Sequence, residues 1–313
     1  MHLIKNLKNP EKIAQRDGYG HGLVELGRKN PNIVVLCADL TDSTRSDWFK
    51  KEFPDRFYEV GIAEQNMLGI AAGLALSGRI PFVSTYAVFC PGRNWDQLRV
   101  SVCYNKANVK LTGAHAGLSV GPDGATHQGL EDIAITRCLP NLVVLAPCDY
   151  LETKKATIAA AEIDGPVYLR FSREATPVFT TEDSPFEIGK ANILRQGSKI
   201  TIIACGPLVY EALLAAEELD AEVINCHTIK PIDKETIIKS AKKTGKVITL
   251  EEHQIMGGLG SAVVEVLSQE YPVPIKIIGI KDRFGESGTP EELLEQFGLT
   301  HEHIIKAAES FKD

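Results

Sequence analysis

Glu64 stands at the head of an apolar run, in GIAEQNMLGIAAGLALSG, residues 61 to 78. A carboxylate is costly to bury without a partner. One explanation is a helix dipole, which stabilises a first-turn glutamate by about 0.3–1 kcal/mol. The other is chemistry: desolvation makes a carboxyl a better sharer of its proton, as general acid–base work requires. Four further segments carry groups able to act beside it. ADLTDST (38 to 44) offers Asp39 and Ser43, and VSTYAVF (83 to 89) offers Tyr86 and Phe89. The glycine-rich AHAGLSVGPDGATHQ (114 to 128) carries His115, Asp123 and His127, and FSRE (171 to 174) carries Arg173. Each has an ordinary reading on its own, as a helix cap, a core aromatic, a loop histidine or a turn. Together, at the ends of successive strands, they read as one site.

The elements that must position them alternate along the chain. NIVVLCAD (32 to 39), IPFVST (80 to 85), NVKLTGA (108 to 114), NLVVLAP (141 to 147) and PVYLRF (166 to 171) are short β-rich runs separated by helix-forming stretches. That rhythm predicts an α/β fold with a mainly parallel sheet flanked by helices, because parallel strands need crossover connections. Functional residues of such sheets gather at the carboxyl ends of the strands. Residues 174 to 198 lose the rhythm and read as a linker, with room for a short edge hairpin. It resumes with KITIIACG (199 to 206), AEVINCHTI (221 to 229), KVITLEE (246 to 252) and PIKIIGI (274 to 280). Two domains follow, residues 1–180 and 181–313, each a mainly parallel sheet flanked by helices.

Composition narrows the function. A net charge of −7 with no long basic cluster argues against a nucleic-acid surface. The longest apolar stretch, Met67 to Leu76, is half of what a membrane span of ~20 residues needs. The N-terminal MHLIKNLKNPEK lacks the apolar core of a signal peptide. Seven cysteines without a CxxC pair, several in apolar runs (Cys37, Cys205, Cys226), read as reduced thiols of a cytoplasmic protein, with neither disulfides nor a metal site. The string Gly257-Gly258-Leu259-Gly260 lacks the GxGxxG spacing of a nucleotide loop and reads as a helix-start turn.

VGIAEQNMLGIAAGLALSG, PFVSTYAVF, GPDGATHQGLEDIAITRCLPNLVVLAPCD and GPVYLRFSR resemble, in order, the pyrimidine-binding domain of transketolase. TIIACGPLVYEALLAAEEL, TIKPID and EEHQIMGGLGSAVVE resemble that family's C-terminal domain. The diphosphate-binding domain, with its GDG-type magnesium motif, has no counterpart. The resemblance therefore implies the C-terminal subunit of a transketolase split over two chains. It implies thiamine diphosphate as cofactor, with Mg2+ or Ca2+ and the diphosphate held by an N-terminal partner subunit in an α2β2 heterotetramer.

The resemblance also implies roles. Glu64 would hydrogen-bond a ring nitrogen of the cofactor's aminopyrimidine, Tyr86 and Phe89 would pack that ring, and Asp39 would lie near the cofactor across the subunit interface. Arg16, Ser43, His115 and Arg173 would bind the sugar phosphate, chemistry that suits guanidinium, hydroxyl and imidazole donors. Asp123 would meet a substrate hydroxyl, and His127 would act near the reacting carbons. Gly92 stands where the family often has a further pocket aromatic. The expected reaction is transfer of a two-carbon ketol unit from a ketose phosphate to an aldose phosphate, as in pentose phosphate metabolism. The β subunit of a 2-oxo acid dehydrogenase and deoxyxylulose-phosphate synthase are the enzyme alternatives. An inactive scaffolding subunit is the non-enzyme one.

Overall fold

A computed structural model describes residues 3–311. Two large sheets hold all the strands but Lys12–Ala14 and Ala175–Pro177, which pair separately. The first runs Thr228–Lys230, Val143–Leu145, Val167–Arg170, Lys110–Ala114, Ile80–Tyr86, Ile33–Cys37 and Phe57–Glu59 across its width. All its pairings are parallel except the one made by Thr228–Lys230. The second runs Ile275–Ile280, Val247–Gln254, Ile200–Ala204, Ala221–Asn225 and Asn192–Arg195, parallel but for that last strand. The α/β architecture, with mainly parallel sheets flanked by helices, is the one the sequence rhythm predicts. Ile33–Cys37 and Ile200–Ala204 are buried at every position, the pattern of strands covered on both faces.

Register brings the candidate segments to one edge. Cys37 pairs with Ser84, Tyr86 with Ala114, and Gly113 with Arg170. Four adjacent parallel strands therefore end together, and the residues just beyond them, Asp39, Phe89, His115 and Arg173, share that edge by construction.

Three sequence expectations change. AEVINCHTI reads as one strand, but that strand ends at Asn225. Thr228–Lys230 crosses to the first sheet and pairs antiparallel with Val143–Leu145. The apolar run satisfies two sheets in turn, so periodicity alone could not divide it. Residues 174 to 198 hold two strands that do not pair with each other. Ala175–Pro177 pairs with Lys12–Ala14, and Asn192–Arg195 forms the edge of the second sheet. The strand Phe57–Glu59 is too short for a pattern to announce it.

The two sheets share apolar packing, with Val34 and Leu111 in one buried cluster with Ile203 and Val263. Among the described residues, no helix is long and apolar enough to cross a membrane.

Candidate active site

Glu64 opens the helix Glu64–Leu76, whose first turn it occupies with only 4% of its surface exposed. Its partner is one that sequence reading missed. Arg93 Nη1 donates to Glu64 Oε1 at 2.9 Å, while the Arg93 guanidinium lies over the Phe89 ring, 4.1 Å from its centroid. The following Asn94 is buried and donates from Nδ2 to the Glu64 carbonyl at 3.3 Å. Gly92 cannot carry a further wall aromatic, because a Cβ there would lie 2.1 Å from the Val88 carbonyl oxygen. The Arg93 side chain instead covers Phe89 from that side.

Aromatic and imidazole rings build the floor. Tyr86, the last residue of its strand, stacks on His115 with centroids 3.9 Å apart and planes 15° apart. It also lies 5.8 Å from Phe89, nearly parallel to it. His127 meets both aromatics edge-on, at 6.2 Å and 5.6 Å. The structure thus unites Tyr86, Phe89, His115 and His127, residues as much as 41 positions apart in the sequence.

His115 has the environment most consistent with a ligand contact. It takes a left-handed backbone, φ 54°, uncommon for a residue other than glycine. It is fully buried, and neither ring nitrogen has a hydrogen-bond partner. Its pKa falls to about 2, first through burial and then through the nearby guanidiniums of Arg16, Arg173 and Arg45. The imidazole is therefore neutral, with one nitrogen free to donate and the other to accept. Buried polar atoms are nearly always paired, so two unpartnered nitrogens on one ring point to a bound group as the partner.

Positive charge surrounds that ring. Arg16, on the helix Gln15–Lys29, donates to the Ser43 carbonyl at 3.2 Å, which places Ser43 at the same mouth. Arg173 Nη1 donates to the Val120 carbonyl at 3.1 Å and approaches Asp123 Oδ2 at 3.4 Å. Arg45 is held by Asp17 at 2.7 Å, and its charge, after burial, is the next cause lowering the Arg16 pKa. Sequence reading missed Arg45 because Asp17 and Arg16 lie on a helix far from it in the chain. Asp39 stands apart. It is exposed, and its backbone N–H donates to Glu59 Oε1 at 2.7 Å.

The groups fit a planar, nitrogen-rich ring beside Glu64. The Arg93 guanidinium touches the Phe89 face and the Glu64 carboxylate at once, so an aromatic face and a carboxylate lie within reach of one side chain. Among the described residues, no group of three or more His, Cys, Asp or Glu side chains could hold a metal ion.

Comparisons with known proteins find relatives over nearly the whole chain. Residues 11–178 match the family model of the transketolase pyrimidine binding domain, and residues 189–304 that of the transketolase C-terminal domain. The chain is 50% identical over 301 residues to a putative transketolase C-terminal section of Methanocaldococcus jannaschii, covering 94% of both. It is 43% identical to the 6-deoxy-6-sulfo-D-fructose transketolase subunit SqwH of a Clostridium species, over 94% of this chain and 92% of that one. A solved structure described as a split gene transketolase, inactive beta4 tetramer, superposes with a TM-score of 0.87 at 47% identity, covering 95% and 97% of the two chains. Longer relatives are covered over about half their length, 48% in one case.

Proposed function

The chain belongs to the transketolase family, and from that premise we propose that it is the C-terminal subunit of a split transketolase, acting with an N-terminal partner. The reaction is transfer of a two-carbon ketol unit between sugar phosphates, in the cytoplasm. Residues 1–180 form the pyrimidine-binding domain and residues 181–313 the C-terminal domain. The observation that carries this reading is the neutral, unpartnered His115, stacked on Tyr86 within a ring of guanidiniums and reached from the same edge as Glu64.

Thiamine diphosphate, when bound with its Mg2+ or Ca2+ ion, supplies the carbanion stabilisation of ketol transfer. This chain's residues position and bind. Glu64 holds a ring nitrogen of the aminopyrimidine and keeps a proton there, with Tyr86 and Phe89 enclosing the ring. Asp39 lies towards the subunit interface. Arg16, Ser43, His115 and Arg173 bind the terminal phosphate. Asp123 takes a substrate hydroxyl, and His127, wedged edge-on against both aromatics, donates or accepts near the reacting carbons. The arginines suit any terminal oxyanion, and SqwH is named for a sulfonated sugar, so charge recognition precedes the choice of phosphate.

The missing diphosphate half has a docking face. Ile70 and Leu76 are exposed on the helix headed by Glu64 and Ile62 just before it, with Val100 and Tyr104 exposed on the helical segment Leu98–Tyr104. Gly69 and Gly73 leave the helix surface open, with nothing within 4 Å of a Cβ at either. A solvent-facing apolar band of this kind marks an association surface, and an α2β2 assembly buries it.

The test is ketol transfer by the chain reconstituted with its partner. Glu64→Gln should leave assembly intact and lower turnover on the order of 10²-fold or more, the range for a positioned acid–base group. Turnover within a factor of about two of wild type would remove Glu64 from the chemistry.

A further inference from the structure

The loop bearing Asp123 and His127 belongs to the first domain, yet the second domain holds it at both ends. Glu252 lies in the strand Val247–Gln254 and is buried. Its carboxylate reaches into the loop, where Oε1 accepts the Ser119 backbone N–H and Oε2 the Ser119 hydroxyl at 3.2 Å. Gly117 permits that approach: its φ is +85°, and a Cβ there would sit 2.5 Å from the Glu252 carboxyl carbon. At the other end, the buried Gln128 amide donates to the Leu118 carbonyl at 3.1 Å and to the Glu286 carbonyl at 2.9 Å.

The base of this contact is a buried ionic network. Arg170 Nη2 donates to the Glu252 carbonyl at 2.6 Å, and Arg170 Nε pairs with Asp132 at 2.9 Å. Tyr168 donates its hydroxyl to the same Asp132 carboxylate at 2.9 Å. Buried ionic groups are poor devices for stability, because apolar replacements often serve as well. What they do supply is a fixed geometry, and a site loses rate steeply when a group shifts by about 1 Å.

We propose that Glu252 is a positioning residue of the ketol-transfer site, fixing through Ser119 the loop that presents Asp123 and His127 to the sugar. The second domain thus contributes to substrate engagement without touching the substrate. This inference rests on the functional reading above.

Glu252→Gln, Glu252→Ala and Ser119→Ala in the full chain, assembled with its partner, test it. The KM for sugar substrates should rise on the order of 10-fold or more in Glu252→Ala, and less in Glu252→Gln, which keeps an acceptor oxygen. Thiamine diphosphate affinity, read by titration calorimetry, should stay within about two-fold. Amide hydrogen exchange should accelerate in residues 116–128 while the strand Val247–Gln254 stays protected. KM and cofactor affinity worsening together, in step with a lower Tm, would mean that Glu252 only supports the fold and would overturn the proposal. So would unchanged KM and unchanged exchange in Ser119→Ala and Glu252→Gln. Should the wild-type complex transfer no ketol group, the functional reading fails, and exchange in the loop still decides whether Glu252 holds it.

Discussion

Removing Arg93 measures how far the buried Glu64 carboxylate depends on that guanidinium. Glu64 is 4% exposed and accepts from Arg93 at 2.9 Å, but the Arg93 side chain is 49% exposed. Breaking a fully buried pair costs about 3–5 kcal/mol, and a hydrogen bond to a charged group contributes about 1.5–3 kcal/mol. Water reaches Arg93 from its open side, which brings the ion-pair loss to about 1–2 kcal/mol. Loss of the contact over Phe89 adds about 0.5–1 kcal/mol. Arg93→Ala should therefore destabilise the first domain by about 2 kcal/mol. The cation–π part cancels in a double-mutant cycle with Glu64→Ala, which removes the acceptor, leaving a coupling of about 1 kcal/mol or more. Urea unfolding followed by tryptophan emission is suited to this, since both tryptophans, Trp48 and Trp95, lie in the first domain. Additive losses, with coupling below about 0.3 kcal/mol, would refute the pairing as an energetic contact.

Arg173→Ala should raise the KM for phosphorylated sugars, by a loss of about 1.5–3 kcal/mol per guanidinium contact, while sparing a small unphosphorylated donor such as hydroxypyruvate. Equal losses with both donors in steady-state assays would make Arg173 structural. The buried His115 titrates near pH 2 when folded and near 6.5 when unfolded. Below pH 6.5 the unfolded chain thus binds a proton that the native chain refuses, and stability falls as pH falls. His115→Phe should flatten that acid limb by up to about 1.4 kcal/mol per pH unit, and parallel denaturation curves for variant and wild type would contradict the burial argument. The purified chain alone should neither bind thiamine diphosphate tightly nor turn over. Calorimetry with cofactor and magnesium, before and after adding the partner, checks this, and micromolar binding by the lone chain would end the split-enzyme reading.

The α/β fold was legible because parallel strands buried on both faces leave unbroken apolar runs, and the helices between them keep their own period. The strand-end positions of Tyr86, His115 and Arg173 followed from the same rhythm. Their chemistry was legible as residue types, but the face-to-face stacking of His115 on Tyr86 depends on neighbouring strands being in register. Arg93 escaped sequence reading because its value lies in reaching Glu64, 29 positions earlier, and the intervening strand Ile80–Tyr86 must pack before the two meet. Glu252 escaped more completely. EEHQ shows two carboxylates at the end of an apolar strand, and nothing local says that one caps the helix Leu259–Glu270 while the next crosses to a loop of the other domain. The sequence determined which side chains each strand end would offer, since period and apolarity are local properties of the chain. Which of them meet was left to the tertiary structure, because the stacking of His115 on Tyr86 needs neighbouring strands in register, and the reach of Glu252 to Ser119, 133 positions away, exists only once the two sheets have packed.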